Sequence, residues 1–255
     1  MIGALILTAL LQDKPASQES DPGVIISKVF QKYYNARTLS GTIVQTIGDG
    51  GGTKKYTTQV NYVRPGKINV QQDFVAPNGL KANLTSNGTV FVYDPPYTSN
   101  FTVKPRERLY EKVTLPKAGT YQQTVLSLGD MYHAAHLSLA PSTLLDLAIA
   151  YKKHLEDFTI NVKEGSYSLV GVETFEGKSS YHIRGLWQSY RGALPSGQFD
   201  LWVSLEFDLQ KFVLKENYMV DERTKQTVLL TVTETANLTI GATVSEALFR
   251  VDVPK

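Results

Sequence analysis

The sequence predicts an α+β protein that consists mostly of antiparallel β-strands. Many segments alternate apolar and polar residues with a period of two, as Gln59–Tyr62 and Lys67–Gln71 do. This period places one set of side chains on each face of a strand. Turn motifs separate the segments, because Arg64-Pro65-Gly66 follows the first and Asn87-Gly88 lies between two further apolar runs. Together these patterns indicate an antiparallel meander.

Composition describes an ordinary folded protein and excludes several classes of function. The chain has 255 residues, of which 42% are hydrophobic and 20% charged, so it can bury a sizeable core without covalent staples. A net charge of +2, with no more than two basic residues in a row, argues against a nucleic-acid partner. The absence of cysteine excludes disulfides, thiolate metal sites and an acylated N-terminal cysteine.

Residues 1–20 read as a signal-like apolar segment followed by a polar spacer. The apolar run Ile2–Leu11 has 10 residues, about half of the roughly 20 that a transmembrane helix requires. It fits the hydrophobic part of a secretory signal, although the basic residues and the small-residue cleavage site of such signals are missing. A hydrophobic N-terminal strand is the alternative. The signal interpretation predicts a periplasmic or otherwise secreted protein.

Residues 21–255 are predicted to form one domain that opens with a helix. Asp21 and Pro22 are typical of an N-cap and a first helical residue, and Leu39-Ser40-Gly41 marks the expected end. About six strands follow, and then the alternation gives way to helical spacing, which predicts a helical insertion at about 120–158. About five more strands complete the chain.

Two hairpins are predicted in the second half. The first turns at Glu176-Gly177-Lys178. The second joins strands Phe199–Phe207 and Lys211–Met219 across Asp208-Leu209-Gln210.

An ordered set of short motifs resembles one known family. Arg64-Pro65 ends a strand, Ser86-Asn87-Gly88 makes a turn, and Phe91-Val92-Tyr93-Asp94-Pro95 ends an aromatic strand. In this order the motifs resemble those of the LolA/LolB-type periplasmic lipoprotein carriers, and the resemblance covers about 21–255. It implies an incomplete, half-open β-barrel of about 11 strands, covered on its concave face by helices.

The resemblance also implies a function. We expect a non-catalytic carrier of lipid or lipoprotein acyl chains, monomeric and without a cofactor, with a hydrophobic cavity between the concave sheet and a helical lid. The alternative within the same fold is an RseB-like envelope sensor that binds a membrane-protein partner. An inner- or outer-membrane protein partner is compatible with both.

The expected ligand-binding residues come from the apolar strands and the insertion. In the carriers, the arginine at the position of Arg64 ties the closing helices to the barrel. The alternative is a strand-end arginine whose guanidinium extends to solvent. The residues expected to line the cavity or lid are Arg64, Ile68, Val70, Phe91, Tyr93, Leu128, Met131, Leu144, Leu145, Leu201, Val203 and Phe212.

Catalytic and metal-binding motifs are incomplete in this sequence. His133 and His136 have a spacing that could place them on one helix face, but no glutamate or third ligand accompanies them. No nucleophile elbow of the Gly-X-Ser-X-Gly type is present, and a paired-carboxylate site cannot be recognised from sequence alone. We therefore expect no enzymatic activity and no bound metal.

Overall fold

The structure, a computed structural model, describes residues 19–48, 50–74, 81–94, 109–112, 119–120, 124, 162–187, 197–221, 223–224 and 226–252. This part of the chain contains one α-helix, eleven strands and one 3₁₀ turn. Their bounds are α1 Pro22–Tyr34, β1 Thr38–Gly48, β2 Thr53–Val63, β3 Lys67–Phe74, β4 Lys81–Asn87, β5 Val90–Asp94, β6 Leu109–Lys112, β7 Val162–Phe175, β8 Lys178–Trp187, β9 Gly197–Ser204, β10 Leu209–Asp221, β11 Gln226–Ile240 and the 3₁₀ turn Glu246–Phe249.

All eleven strands form one open antiparallel sheet. Its order is β6-β5-β4-β3-β2-β1-β11-β10-β9-β8-β7, so consecutive strands are neighbours except where β1 pairs with β11. That pairing runs from Leu39 opposite Ile240 to Gly48 opposite Thr231 and joins the two halves of the sheet. Open sheets of more than about 10 twisted strands rarely stay flat, so a sheet of this width is expected to curl. The prediction of a mostly antiparallel β-protein with about 11 strands is confirmed.

Helix α1 begins as its sequence predicts. Asp21 caps it, because the Asp21 carboxylate accepts hydrogen bonds from the backbone N–H groups of Gly23 and Val24 at 2.8 and 3.4 Å. The helix ends at Tyr34, earlier than expected, and Asn35 is its C-cap. The segment Leu39–Gly41 lies inside β1, where its pairing with β2 and β11 outweighs the turn-like composition.

The turns agree with the sequence at two sites and differ at a third. Gly88 follows β4 with φ 95°, and Glu176 and Gly177 have φ 48° and 77°, the left-handed pair that a two-residue hairpin requires. The prediction of a turn at Asp208-Leu209-Gln210 is wrong, because the turn begins earlier in the chain. β9 ends at Ser204, and the turn closes when the Ser204 N–H donates to the Asp208 carbonyl at 2.8 Å.

One face of the sheet, called the inner face, carries the core. Nine strands, β1–β5 and β8–β11, each contribute at least one apolar side chain that is at most 8% exposed. Burial alternates along the strands, as on β9, where Phe199, Leu201 and Val203 are buried and Gln198 is exposed. The apolar side of α1, with Ile25 and Val29, joins this single cluster. The core therefore extends across almost the whole sheet.

The outer face is also covered over β3 and β4. The 3₁₀ turn Glu246–Phe249 lies against these two strands, with Phe249 buried and Lys67 paired with Glu246 at 2.7 Å. Val92, which points away from the core on the neighbouring β5, is only 7% exposed. β5 thus carries buried apolar side chains on both of its faces.

Candidate functional site

Apart from Arg64, every expected cavity residue that the structure describes lies on the inner face. These residues lie on four strands and are each at most 3% exposed. They are Ile68 and Val70 on β3, Phe91 and Tyr93 on β5, Leu201 and Val203 on β9, and Phe212 on β10. The expected lid residues Leu128, Met131, Leu144 and Leu145 lie outside the described residues, as does most of the helical insertion at 120–158.

The two halves of the inner face meet through the pairing of β1 with β11. Strands β3 and β5 lie on one side of this seam, and β9 and β10 lie on the other. The aromatic rings of Phe199 and Phe212 stack across β9 and β10 with centroids 5.9 Å apart. Gly185 makes room for them, because a Cβ there would lie 2.5 Å from the Phe199 ring. The surface is therefore continuous, apolar and closely packed at this end.

Arg64 lies at the end of β2, beside the place where the insertion starts. Its backbone N–H donates to the Arg37 carbonyl at 2.8 Å. The contacts that hold the start of the insertion come from its neighbours: the Tyr62 hydroxyl and the Gly66 N–H both donate to the Gly119 carbonyl. A Cβ on Gly119 would lie 2.7 Å from Pro65, so only glycine permits this approach. The anchoring role expected of Arg64 stays a prediction.

Tyr62 is a site residue that sequence reasoning missed. It is fully buried, and desolvation raises the pKa of its hydroxyl above the usual value, opposed by the nearby Arg64 guanidinium and by a hydrogen bond with Thr124. Thr124 in turn donates its N–H and its hydroxyl to the Thr120 carbonyl, each at 2.8 Å. The sequence signal was a tyrosine at an inward position next to the Arg-Pro turn.

Four polar side chains, here called the polar row, interrupt the inner face at its centre. They are Gln45 on β1, Thr58 on β2, Gln72 on β3 and Glu234 on β11, each at most 5% exposed. Thr58 pairs with Gln72 and Gln45 with Glu234 across adjacent strands, and the Gln45 amide donates to Glu234 at 2.7 Å. Sequence reasoning missed them, although each replaces an apolar residue at an inward position.

A second polar cluster lies on the outer face of β7–β9. Both ring nitrogens of His182 contact carboxylates, Glu173 at 2.9 Å and Asp200 at 2.7 Å, while the ring stacks on Trp202 at 4.4 Å. The bond to His182 is the main reason that the pKa of Glu173 is lowered. With both nitrogens held by protein groups, this histidine ties three strands together.

Within the described ranges, no group of three or more His, Asp or Glu side chains is arranged to hold a metal ion. His133 and His136 lie outside those ranges. No helix in the described part is both long and apolar enough to cross a membrane.

Comparisons with known proteins give similarity in structure alone. No protein-family model matches the chain, and no curated protein matches it in sequence. The lipoprotein LppX of Mycobacterium tuberculosis is 11% identical, with 86% of this chain and 95% of that chain covered and a TM-score of 0.43. LprF of Mycobacterium bovis is 12% identical, with 89% and 96% covered and a TM-score of 0.46.

A LolA superfamily protein of Nitrosomonas europaea is also similar. It is 10% identical, with 89% of this chain and 96% of that chain covered and a TM-score of 0.31. The family that the sequence motifs resemble is therefore among the similar structures.

Proposed function

We propose that the chain is a non-catalytic binder or carrier of lipid-like molecules, and that their acyl chains lie against the inner face. One observation supports this proposal most directly: buried apolar side chains line the inner face on nine neighbouring strands, from Phe91 on β5 to Ile183 on β8, and only the polar row interrupts them. Strands lie about 4.8 Å apart, so nine neighbouring strands span roughly 38 Å. Such a surface is long enough to accommodate an extended acyl chain.

Helix α1 is too small to cover this surface by itself. With 13 residues it is about 20 Å long, and a helix with its side chains is about 10 Å wide. It packs against β7, and its Tyr33 hydroxyl accepts from the Leu209 N–H at the start of β10 at 3.3 Å. Just ahead of the helix, the Glu19 N–H donates to the Tyr181 hydroxyl on β8 at 3.1 Å. We therefore place the ligand between the inner face and the insertion at 120–158, over β2–β5.

The start of the insertion supports this placement. The Gly119 carbonyl accepts hydrogen bonds from both Tyr62 and Gly66, at the end of β2 and in the turn before β3. Because Tyr62 points inward, the insertion begins at the rim of the inner face. An element anchored there is suited to act as a lid over β2 and β3.

The energetics suit a carrier that must release its cargo. Burying a chain of about 14 methylenes contributes roughly 11 kcal/mol, at about 0.8 kcal/mol for each methylene. Immobilising the ligand and displacing a lid costs roughly 4–15 kcal/mol. The net affinity is therefore expected to be modest.

The signal-like segment Ile2–Leu11 supports a periplasmic or otherwise secreted location.

The proposal is tested with protein that has been stripped of lipid and then titrated with a fluorescent fatty acid. We expect saturable binding, and we expect mass spectrometry of the natively purified protein to detect co-purified lipid. A stripped protein that stays folded but never takes up the probe, together with a native sample free of lipid, would count against a lipid-binding role.

Two variants locate the binding surface. Val70→Thr places a hydroxyl on the inner face with little change in shape, whereas Val44→Thr makes the same change on the outer face. Burying an unpaired hydroxyl costs about 1–3 kcal/mol, so Val70→Thr should weaken probe binding at least about fivefold. Val44→Thr should leave the affinity unchanged. Equal effects of the two substitutions would contradict binding on the inner face.

A further inference from the structure

A surface that binds only an apolar chain needs no polar side chains, yet the polar row lies within the inner face. Its four residues occupy four neighbouring strands in the order β3, β2, β1 and β11, at the centre of the eleven-stranded sheet. Thr58 pairs with Gln72 on one side and with Ile43 on the other, and Gln45 follows Ile43 by one inward position. Three inter-strand spacings give the row a width of about 14 Å.

Two of these side chains keep buried oxygen atoms without a partner. The Gln45 amide nitrogen donates to Glu234, but the Gln45 Oε1 atom is buried and accepts no hydrogen bond. The Thr58 Oγ1 atom is likewise buried and has no hydrogen-bond partner. Leaving such a group unsatisfied is costly, so native proteins pair nearly all of them with protein, water or ligand.

The free acceptor atoms of the polar row favour a ligand group that donates hydrogen bonds. Amide and carboxylate oxygens only accept hydrogen bonds, and a threonine hydroxyl accepts as well as donates. Gln45 and Thr58 therefore present free acceptors beside the carboxylate of Glu234. The group that complements them carries N–H or O–H bonds, and next to a carboxylate an ammonium group fits as well as a hydroxyl.

We propose that the polar row binds a hydrogen-bond-donating head group, a hydroxyl or an ammonium, of an aliphatic ligand whose chain lies on the inner face. This inference rests on the lipid-binding function proposed above and narrows its ligand class to amphiphiles with a donor head. Apolar residues flank the row on β3 and β10, namely Val70 and Phe212. The chain of the ligand lies against these residues while the head meets the row.

The test uses three probes that share a twelve-carbon chain: methyl laurate, which has no donor, and 1-dodecanol and dodecylammonium, which have one. Dissociation constants are measured by displacement of the fluorescent fatty acid from the full-length chain. We expect each donor probe to bind about tenfold more tightly than methyl laurate, because one satisfied buried acceptor is worth about a factor of ten.

The variant Thr58→Val separates a ligand role from a structural one. Valine matches threonine in shape and removes the unpaired hydroxyl, so the ligand-free variant should be at least as stable as the wild-type chain in urea. The same change should reduce the preference for 1-dodecanol over methyl laurate by about threefold or more. If the Thr58 hydroxyl only supported the fold, its removal would lower stability. Higher stability together with a weaker preference for 1-dodecanol therefore indicates a role in ligand binding.

Thr85→Val is the matched control. Thr85 is buried on the opposite face, where its hydroxyl accepts from the Asn69 amide at 2.9 Å. Its removal should lower stability and leave the probe preference unchanged.

Three results would overturn the inference. Equal affinity of wild-type protein for all three probes would mean that water satisfies the row, and the lipid-binding function would still stand. A preference that survives Thr58→Val unchanged would show that the polar row does not hold the donor group, and the inference would fail. If no probe bound the wild-type chain, the proposed function and this inference would fail together.

Discussion

At the scale of single residues, the Tyr62 hydroxyl connects the inner face with the start of the insertion. It donates to the Gly119 carbonyl, which also accepts from the Gly66 N–H at 3.2 Å. Tyr62→Phe removes one of these two bonds and keeps the ring in the core. We expect a loss of about 0.5–1.5 kcal/mol in the free energy of unfolding and faster amide hydrogen exchange at Thr124.

Tyr181→Phe is the control for this substitution. Tyr181 is also buried on the inner face, but its hydroxyl accepts from the Glu19 N–H ahead of α1. It should lose a similar amount of stability without changing exchange at Thr124. Faster exchange at Thr124 in both variants would show that Tyr62 has no particular role at the insertion.

Two glutamates should affect stability in opposite directions as pH changes. Burial raises the pKa of Glu216, an inward residue opposite Leu230, above its ordinary value of 4.5. Its protonated form is thus favoured by folding, so the contribution of Glu216 to stability is fully present below pH 4.5 and is lost as pH rises through the folded pKa. Glu216→Gln should therefore be more stable than wild type at pH 7, with the difference shrinking toward pH 4.

Glu173→Gln is expected to behave in the opposite way. The hydrogen bond from His182 lowers the pKa of Glu173, so the carboxylate contributes stability above pH 4.5 that is lost as pH falls through the folded pKa. This variant should be less stable than wild type at pH 7 and converge with it in acid. Urea denaturation of both variants from pH 4 to 7 measures these differences, and curves of the same sign would contradict the assignment.

At the scale of elements, the close packing of β8 on β9 depends on Gly185. A Cβ at this position would lie 2.5 Å from the Phe199 ring and 2.8 Å from the Tyr167 Cβ atom. Gly185→Ala should therefore cost about 1–3 kcal/mol of stability through overpacking, measured by urea denaturation. Gly48→Ala on β1 is the control, since its Cβ would meet nothing closer than 3.8 Å. Equal stability of the two variants would contradict this packing.

Elements whose signal is local could be predicted from the sequence. Asp21-Pro22 specified the start of α1, and Asn87-Gly88 specified the turn after β4, because capping and left-handed turns depend on a few adjacent residues. The turn after β9 was placed too late, since the choice between Leu205–Asp208 and Asp208–Gln210 depends on the register of β9 with β10.

The candidate site was only partly predictable for the same reason. Alternation identified Val70 and Leu201 as inward residues, because a period of two is visible within each strand. The polar row was missed because it exists only after β1 pairs with β11, which brings Gln45 beside Glu234 from 189 positions away. Such contacts depend on topology and have no local sequence pattern.

At the scale of the whole molecule, the pairing of β1 with β11 makes the inner face a single surface. Strands β2–β6 extend the sheet on one side of this seam and β7–β10 on the other, and the core crosses it as one cluster. The ligand surface and the polar row therefore both require the two halves of the chain together. We accordingly expect unfolding to remove binding from both halves at once.

The location of a bound chain tests the central claim most directly. We would record intermolecular nuclear Overhauser effects between an unlabelled fatty acid and the isotope-labelled protein at saturation. The acyl chain is predicted to give contacts to the methyl groups of inner-face residues such as Val70 and Leu201, and none to the outward Val44 and Val213. Contacts to Val44 and Val213 without contacts to Val70 and Leu201 would contradict an inner-face binding site.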